Sequence, residues 1–182
     1  MLAVAEGADA IAFLDADNYF DSDHVAVCLA AAAAAPDIDF VVAHMRIELP
    51  DGTPVQCQLE PVEEHIDTNC FFLLPGAFAA SPSWALQPKP YSPVGDRLFL
   101  QHLKSLGLSY VVCPKTTVNY VSTWAVHYQI AGQAVPVEAK ENWTSDPIYD
   151  WWDGLTERQK VFARRQTGLP FLDCKRPGNS QS

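Results

Sequence analysis

Asp15 and Asp17 close the segment Ile11-Ala12-Phe13-Leu14-Asp15-Ala16-Asp17-Asn18. The apolar run before them is too short for a free-standing helix and reads as a buried strand over residues 10–14. The two carboxylates then sit where that strand leaves its sheet, the end of an open α/β sheet at which ligands bind. A carboxylate pair there can hold a divalent cation, and a hard, oxygen-ligated cation is a natural clamp for a diphosphate. The segment therefore predicts a metal-dependent enzyme acting on a nucleotide-linked substrate. The plain structural alternative is a turn in which one Asp caps the next helix. An EF-hand fails on register: counting from Asp15, the sixth position is Phe20 rather than Gly and the twelfth is Ala26 rather than Glu.

Two further positions carry possible chemistry. Asp96, in Gly95-Asp96-Arg97, opens a helical pattern after a proline-rich stretch. It is either a capping residue or a general base, because a carboxylate in a partly desolvated cleft has its pKa raised toward working pH. Arg97 beside it can pair with a carboxylate or phosphate. His127, in Trp124-Ala125-Val126-His127-Tyr128, offers a neutral imidazole as an extra ligand for a manganese-type ion. His24, His44, His65 and His102 lack such a context and read as structural.

Positioning these groups requires a mixed α/β domain. Residues 1–7 read as the end of a helix. A helix over 25–35, capped by Asp21 or Ser22 and stopped by Pro36, follows the first strand. Its alanines suit close packing on a sheet. Residues 39–49 and 53–60 predict a β-hairpin around Pro50-Asp51-Gly52. Residues 66–74 read as extended, 81–93 as an ordered loop, and 96–106 as an amphipathic helix stopped by Gly107. Strands are expected over 110–113, ended by Pro114, and over 116–120. An irregular or helical stretch then runs to about residue 131. A last amphipathic helix over 156–167 is capped by Thr156, and 175–182 read as a frayed end.

Composition narrows the function. The chain has 182 residues, 48% of them hydrophobic, enough for one sizeable core and too many for a disordered chain. The net charge of −10 disfavours binding to nucleic-acid backbone. No stretch approaches the roughly 20 apolar residues of a membrane span, and no secretory leader is evident. Cys28, Cys57, Cys70, Cys113 and Cys174 form no C-x-x-C pair. They read as reduced, buried thiols of a cytoplasmic protein rather than a zinc cage.

The order of these features resembles glycosyltransferase family 2, with its GT-A fold. Residues 7–18 look like that family's metal-binding strand. Val94-Gly95-Asp96-Arg97-Leu98-Phe99, with Leu103 and Gly107-Leu108, is similar to its catalytic-base helix. Thr117-Val118-Asn119-Tyr120 and the His127 segment resemble the strand and closing segment beyond. The resemblance covers residues 1–136 as a GT-A-like domain, with 137–182 as a C-terminal extension packed on it. It implies inverting transfer of a sugar from a nucleotide-sugar donor to an acceptor hydroxyl. Asp15 would lie near the ribose or base. Asp17 would ligate Mn²⁺ or Mg²⁺ across the diphosphate, with His127 as a candidate extra ligand, and Asp96 would deprotonate the acceptor. Asp67, Thr68 and Asn69 would touch sugar or acceptor, and Trp84 and Tyr91 would offer a stacking platform or simply pack the loop.

Members of that family open with a βαβ half that holds the nucleotide base, whereas Asp15 here stands close to Met1. The resemblance thus implies a mixed sheet flanked by helices that lacks this first half. It implies half a donor site, little catalysis by the chain alone, and an exposed sheet edge through which copies can pair. Two rival readings remain. One is a non-catalytic assembly module docking through that edge and the aromatic stretch 143–152. The other is a metal-dependent phosphotransferase or hydrolase; the chain has no Gly-x-x-x-x-Gly-Lys loop, which argues against a nucleoside triphosphatase.

Overall fold

The computed structural model describes residues 6–59 and 61–167. It is a mixed α/β fold built on a five-stranded sheet. The strands are β1 (Ile11–Ala12), β2 (Tyr19–Phe20), β3 (Phe40–Glu48), β4 (Phe71–Leu73) and β5 (Tyr110–Val121), in the spatial order β1-β4-β3-β5-β2. Only β3 and β5 run parallel; the other pairs are antiparallel. Phe40, Val41, Val42 and Ala43 are all fully buried, as expected of a central strand covered on both faces.

Helix α1 (His24–Ala34) packs on β3 and β5. It turns His24 and Cys28 fully inward, with Val27, Ala31 and Ala32 beside them, a face of helical period. The expected cap does not form. The N-cap is Asp23, which makes no side-chain cap bond, and the Asp21 carboxylate turns to Arg46 and Asn119 instead. Pro36 ends the helix, and Asp37 follows with φ 70°, a left-handed conformation Asp tolerates better than most residues.

Residues 81–93, expected as an ordered loop, wind for the most part into α2 (Pro82–Ala85) and a 3₁₀ segment (Lys89–Val94). Pro82 and Pro90 sit in the first turn of each, where a missing N–H costs nothing. Helix α3 (Gly95–Ser105) follows. Leu98, Phe99 and Leu103 are buried as its spacing requires, and Phe99 meets Phe71 edge-on at 5.0 Å. Leu106 stays exposed, and Gly107 leaves the helix at φ 76°.

The two strands expected on either side of Pro114 are one. Opposite Val42 and His44 on β3 stand Val112 and Thr116 on β5, so Pro114 lies in a bulge where no ladder bond is asked of it. The turn at Pro50-Asp51-Gly52 forms, with Leu49 N–H bonded to Thr53 C=O at 2.8 Å and Val55 N–H to Ile47 C=O at 2.9 Å. Among the described residues its return arm makes the single bridge from Glu48 to Pro54 and no strand. The first strand is likewise shorter than expected. It is a two-residue edge strand, half buried rather than central, because its partner β4 offers only three residues.

Beyond β5 come α4 (Ala125–Ile130), α5 (Asp146–Asp153) and α6 (Glu157–Thr167). Thr156 caps α6 in a reciprocal box: Gln159 N–H donates to Thr156 Oγ1 at 3.3 Å, and Thr156 N–H donates to Gln159 Oε1 at 2.9 Å. Tyr91, Leu98 and Trp152 form a small second core that ties α5 and α6 to α3. The expectations for residues 1–5, Cys174 and 175–182 lie outside the described residues. Among the described residues, no helix is long and apolar enough to cross a membrane.

Candidate functional site

The chain from β1 to β2 makes a tight turn, closed by Asn18 N–H on Asp15 C=O at 3.2 Å. Asn18 is buried, and its Oδ1 accepts Val121 N–H at 2.9 Å, pinning the turn to β5. The turn leaves Asp15 and Asp17 exposed at the mouth of a cleft of about 720 Å³. Asp67, Thr68, Asp96, Arg97, Trp84 and His127 line the same cleft. Residues more than a hundred positions apart therefore meet where the sheet ends.

The carboxylates are coupled through Asn69. Its side chain is fully buried; Oδ1 accepts Asp15 N–H at 2.7 Å, and Nδ2 donates to Asp15 Oδ2 at 3.2 Å and to Asp67 Oδ1. Asn69 thus positions the two acids rather than lining the cleft as a sugar contact. Asp67 also accepts Asn69 N–H at 3.0 Å, which caps the 3₁₀ turn Thr68–Cys70 and fixes the carboxylate. Thr68 Oγ1 donates to Asp96 Oδ1 at 2.5 Å.

Asp96 stands in the first turn of α3. Burial, then the negative charge of Asp67, push its pKa up to about 7, against the opposing bond from Thr68; Asp15 adds a smaller push. Burial likewise raises Asp67, partly offset by the bonds from Asn69 and reinforced by Asp15 and Asp17. Trp84 holds the helix start in place. It meets Phe99 edge-on at 5.8 Å, and Gln87 Nε2 donates to Gly95 C=O at 3.0 Å. A Cβ on Gly95 would fall 2.7 Å from Gln87 Oε1 and 3.3 Å from the Trp84 ring, so any larger residue would push the Gln87 side chain and the Trp84 ring aside.

Tyr91 is not part of the cleft. It is buried in the second core, edge-on to Trp151 at 5.6 Å. Trp151 and Trp152 are spent on the same contacts, so within the aromatic stretch expected as a docking surface Trp143 and Tyr149 remain at surface pockets. His127 does face the cleft, with Nδ1 on Ser122 Oγ at 2.5 Å and its pKa lowered by burial. Among the described residues, no group of three or more His, Cys, Asp or Glu side chains converges as a ready-made metal cage.

The sequence reading missed one wall. Lys140 N–H bonds Thr123 C=O at 2.8 Å and Ala125 N–H bonds Lys140 C=O at 2.8 Å, so the chain after α4 returns alongside its own start. Asn142 Oδ1 then accepts Val126 N–H at 2.9 Å. This return brings Lys140, Asn142 and Trp143 to the cleft, with Lys140 Nζ 5.7 Å from the centre of the Trp124 ring. Trp124 Nε1 donates to Tyr120 Oη at 3.1 Å, which sets both rings in the wall. No motif marks this segment; the only available signal was Lys and Trp in an otherwise aperiodic stretch.

Comparison with protein-family models, with curated proteins and with solved structures finds no match for this chain.

Proposed function

We propose that this cleft transfers a sugar from a nucleotide-sugar donor to an acceptor hydroxyl with inversion, as a GT-A-like, divalent-cation-dependent glycosyltransferase. The observation that carries the reading is the gathering of Asp15, Asp17, Asp67 and Asp96 on one cleft, with Asp96 held near neutrality as a base.

The donor set fits Mn²⁺ or Mg²⁺. All the nearby carboxylates are hard oxygen ligands, Asp17 and Asp15 are exposed at the mouth, and the cation would complete its shell with water and phosphate oxygens. An anionic diphosphate brought against these acids needs such a counter-charge. Asp17 would hold the ion, with His127 as a further donor through Nε2, since Nδ1 is engaged by Ser122. When bound, the ion supplies charge stabilisation to the departing diphosphate.

The chain's own residues do the rest. Arg97 and Lys140 are cleft cations that can meet phosphate oxygens. Trp84, Trp124 and Trp143 present ring faces and edges against which a sugar can rest. Asp96 Oδ2 takes the acceptor proton while Oδ1 is kept oriented by the Thr68 hydroxyl. A base with a pKa of about 7 combines a usable ionised fraction with real proton affinity at neutral pH. The free thiols of Cys28, Cys57, Cys70 and Cys113 support a cytoplasmic setting for this chemistry.

The test is release of nucleoside diphosphate from a panel of UDP-, GDP- and CDP-sugars in Mn²⁺, with simple alcohols as acceptors. Release should rise with pH through about 7, as Asp96 ionises, and vanish in Asp96→Asn. Release that is flat with pH and survives Asp96→Asn would overturn the reading.

A further inference from the structure

Behind Asp96 lies a second cavity of about 370 Å³. It shares Asp67, Asp96, Arg97, Tyr120, Trp124 and His127 with the cleft, so the two spaces meet at the proposed base. Beyond that junction its character changes. Met45 and Ile47 come from one face of β3, Leu59 from the arm after the 50–52 turn, Ile66 from the approach to β4, Val94 from the turn before α3, and Ile130 from the end of α4. Five separate segments thus aim apolar side chains at one space and do not fill it. Its own polar groups, among them Glu64 and His65, are exposed. An unfilled apolar chamber opening on a few convergent polar groups is the usual form of a small-molecule site.

The chamber suits a neutral, apolar guest. A diphosphate would meet Asp67 and Asp96 at the junction, with Arg97 the single Lys or Arg among the described residues of the chamber's walls to set against them. A polar sugar would lose water to Met45, Ile47, Leu59 and Ile66 without hydrogen bonds in return. An aromatic or alkyl body would gain from the same walls, and a hydroxyl on its outer end would arrive at the Asp67–Asp96 junction. Resting on the transferase reading above, we infer that this chamber is the acceptor site, and that the acceptor is an alcohol or phenol carried on an apolar body of about two fused rings.

Cys57 gives the test its handle. Cys57 lines the chamber and is half buried, whereas Cys28, Cys70 and Cys113 are fully buried. Alkylation of Cys57 by N-ethylmaleimide in the full chain is followed by mass spectrometry of its peptide, with 2-naphthol or glycerol added. An eleven-heavy-atom guest in such a site should bind with a dissociation constant on the order of 100 µM. At about ten times that concentration, 2-naphthol should slow Cys57 alkylation about tenfold, and glycerol should leave the rate unchanged. Direct fluorescence titration of 2-naphthol should weaken at least about tenfold in Cys57→Trp, which places an indole in the chamber. Mn²⁺-dependent UDP binding is measured on the same samples. No protection by 2-naphthol where nucleotide binding is intact overturns the acceptor assignment and leaves the transferase reading standing. Protection without nucleotide binding to any sample overturns the transferase reading, and the acceptor role with it.

Discussion

Two polar corners of this sheet treat the same side chain in opposite ways. At the β2 edge, Asp21 accepts Asn119 Nδ2 at 2.9 Å and pairs with Arg46, while Lys115 pairs with Asp23. The Asn119 bond, then Arg46, hold the Asp21 carboxyl below its ordinary range. Arg46 Nε also donates to Asn119 Oδ1 at 2.6 Å, so the corner is satisfied within itself. At the cleft, acids face one another and burial lifts Asp96 to about 7. One corner is finished by the fold; the other leaves negative charge for something else to complete. Half-buried carboxylates set against each other, as Asp67 and Asp96 are, cost stability, and such a cost persists where a site uses it.

Removing the cleft's charge gives the largest effect. Asp96→Asn should lower transfer by roughly 10²–10⁴-fold, the usual worth of a base. It should also stabilise the protein. The native pKa of about 7 lies above the unfolded value of 3.8, so the native state binds more protons between those limits and stability falls as pH rises through them. The penalty relieved at pH 8 is on the order of 4 kcal/mol, shared with the coupled Asp67, and is absent at pH 3. Thermal melts at both pH values check it; no gain at pH 8 would remove the contrast between the corners.

His24 probes the finished corner from inside. It is buried, stacked on Phe20 at 3.8 Å between ring centres, with Nδ1 at 2.7 Å from Thr117 Oγ1. His24→Ala should cost about 2–3 kcal/mol through cavity and lost bond. Burial lowers the His24 pKa below 6.5, so its contribution is present above 6.5 and lost as pH falls from there toward the lowered value. Denaturant titrations at pH 7.5 and 5 read both effects.

Gly95→Ala should cost about 1 kcal/mol as Gln87 and Trp84 give way, and should depress transfer more than stability because Asp96 is the next residue. The smallest effect belongs to Arg46→Ala. Its pair with Asp21 is half-exposed and water can replace the guanidinium at Asn119 Oδ1, so the loss should stay at about 1 kcal/mol, and its ionic part should fade as acid protonates Asp21. An Arg46 effect rivalling that of Asp96 would mean that the two corners are not different in kind.

Much of the cleft was legible in the sequence because its acids mark local events. Asp15 and Asp17 follow a β-run and Asp96 begins an amphipathic helix, whereas Asp67 comes to the cleft through the family resemblance alone, its 3₁₀ turn Thr68–Cys70 lying inside a stretch that reads as extended. What was hidden depends on long-range pairing. The wall bearing Lys140 and Trp143 exists because Lys140 pairs with Thr123, which no periodicity announces. The resemblance puts Asn69 at the sugar, whereas its burial assigns it to bracing Asp15; for Tyr91 the sequence leaves a stacking platform and loop packing open, and burial in the second core selects packing. Pro114 looked like a strand end because sequence cannot show the bulge that accommodates it.

On the reading proposed above, the cleft's acids call for a divalent cation shared with a nucleoside diphosphate. Calorimetric titration of UDP, GDP and CDP into the full chain, with and without Mn²⁺, tests this most directly. At least one nucleotide should bind only with the metal, lose that binding in Asp17→Ala, and keep it in Arg46→Ala. Binding that ignores both the metal and Asp17→Ala, or no binding of any of the three with Mn²⁺ present, would contradict it.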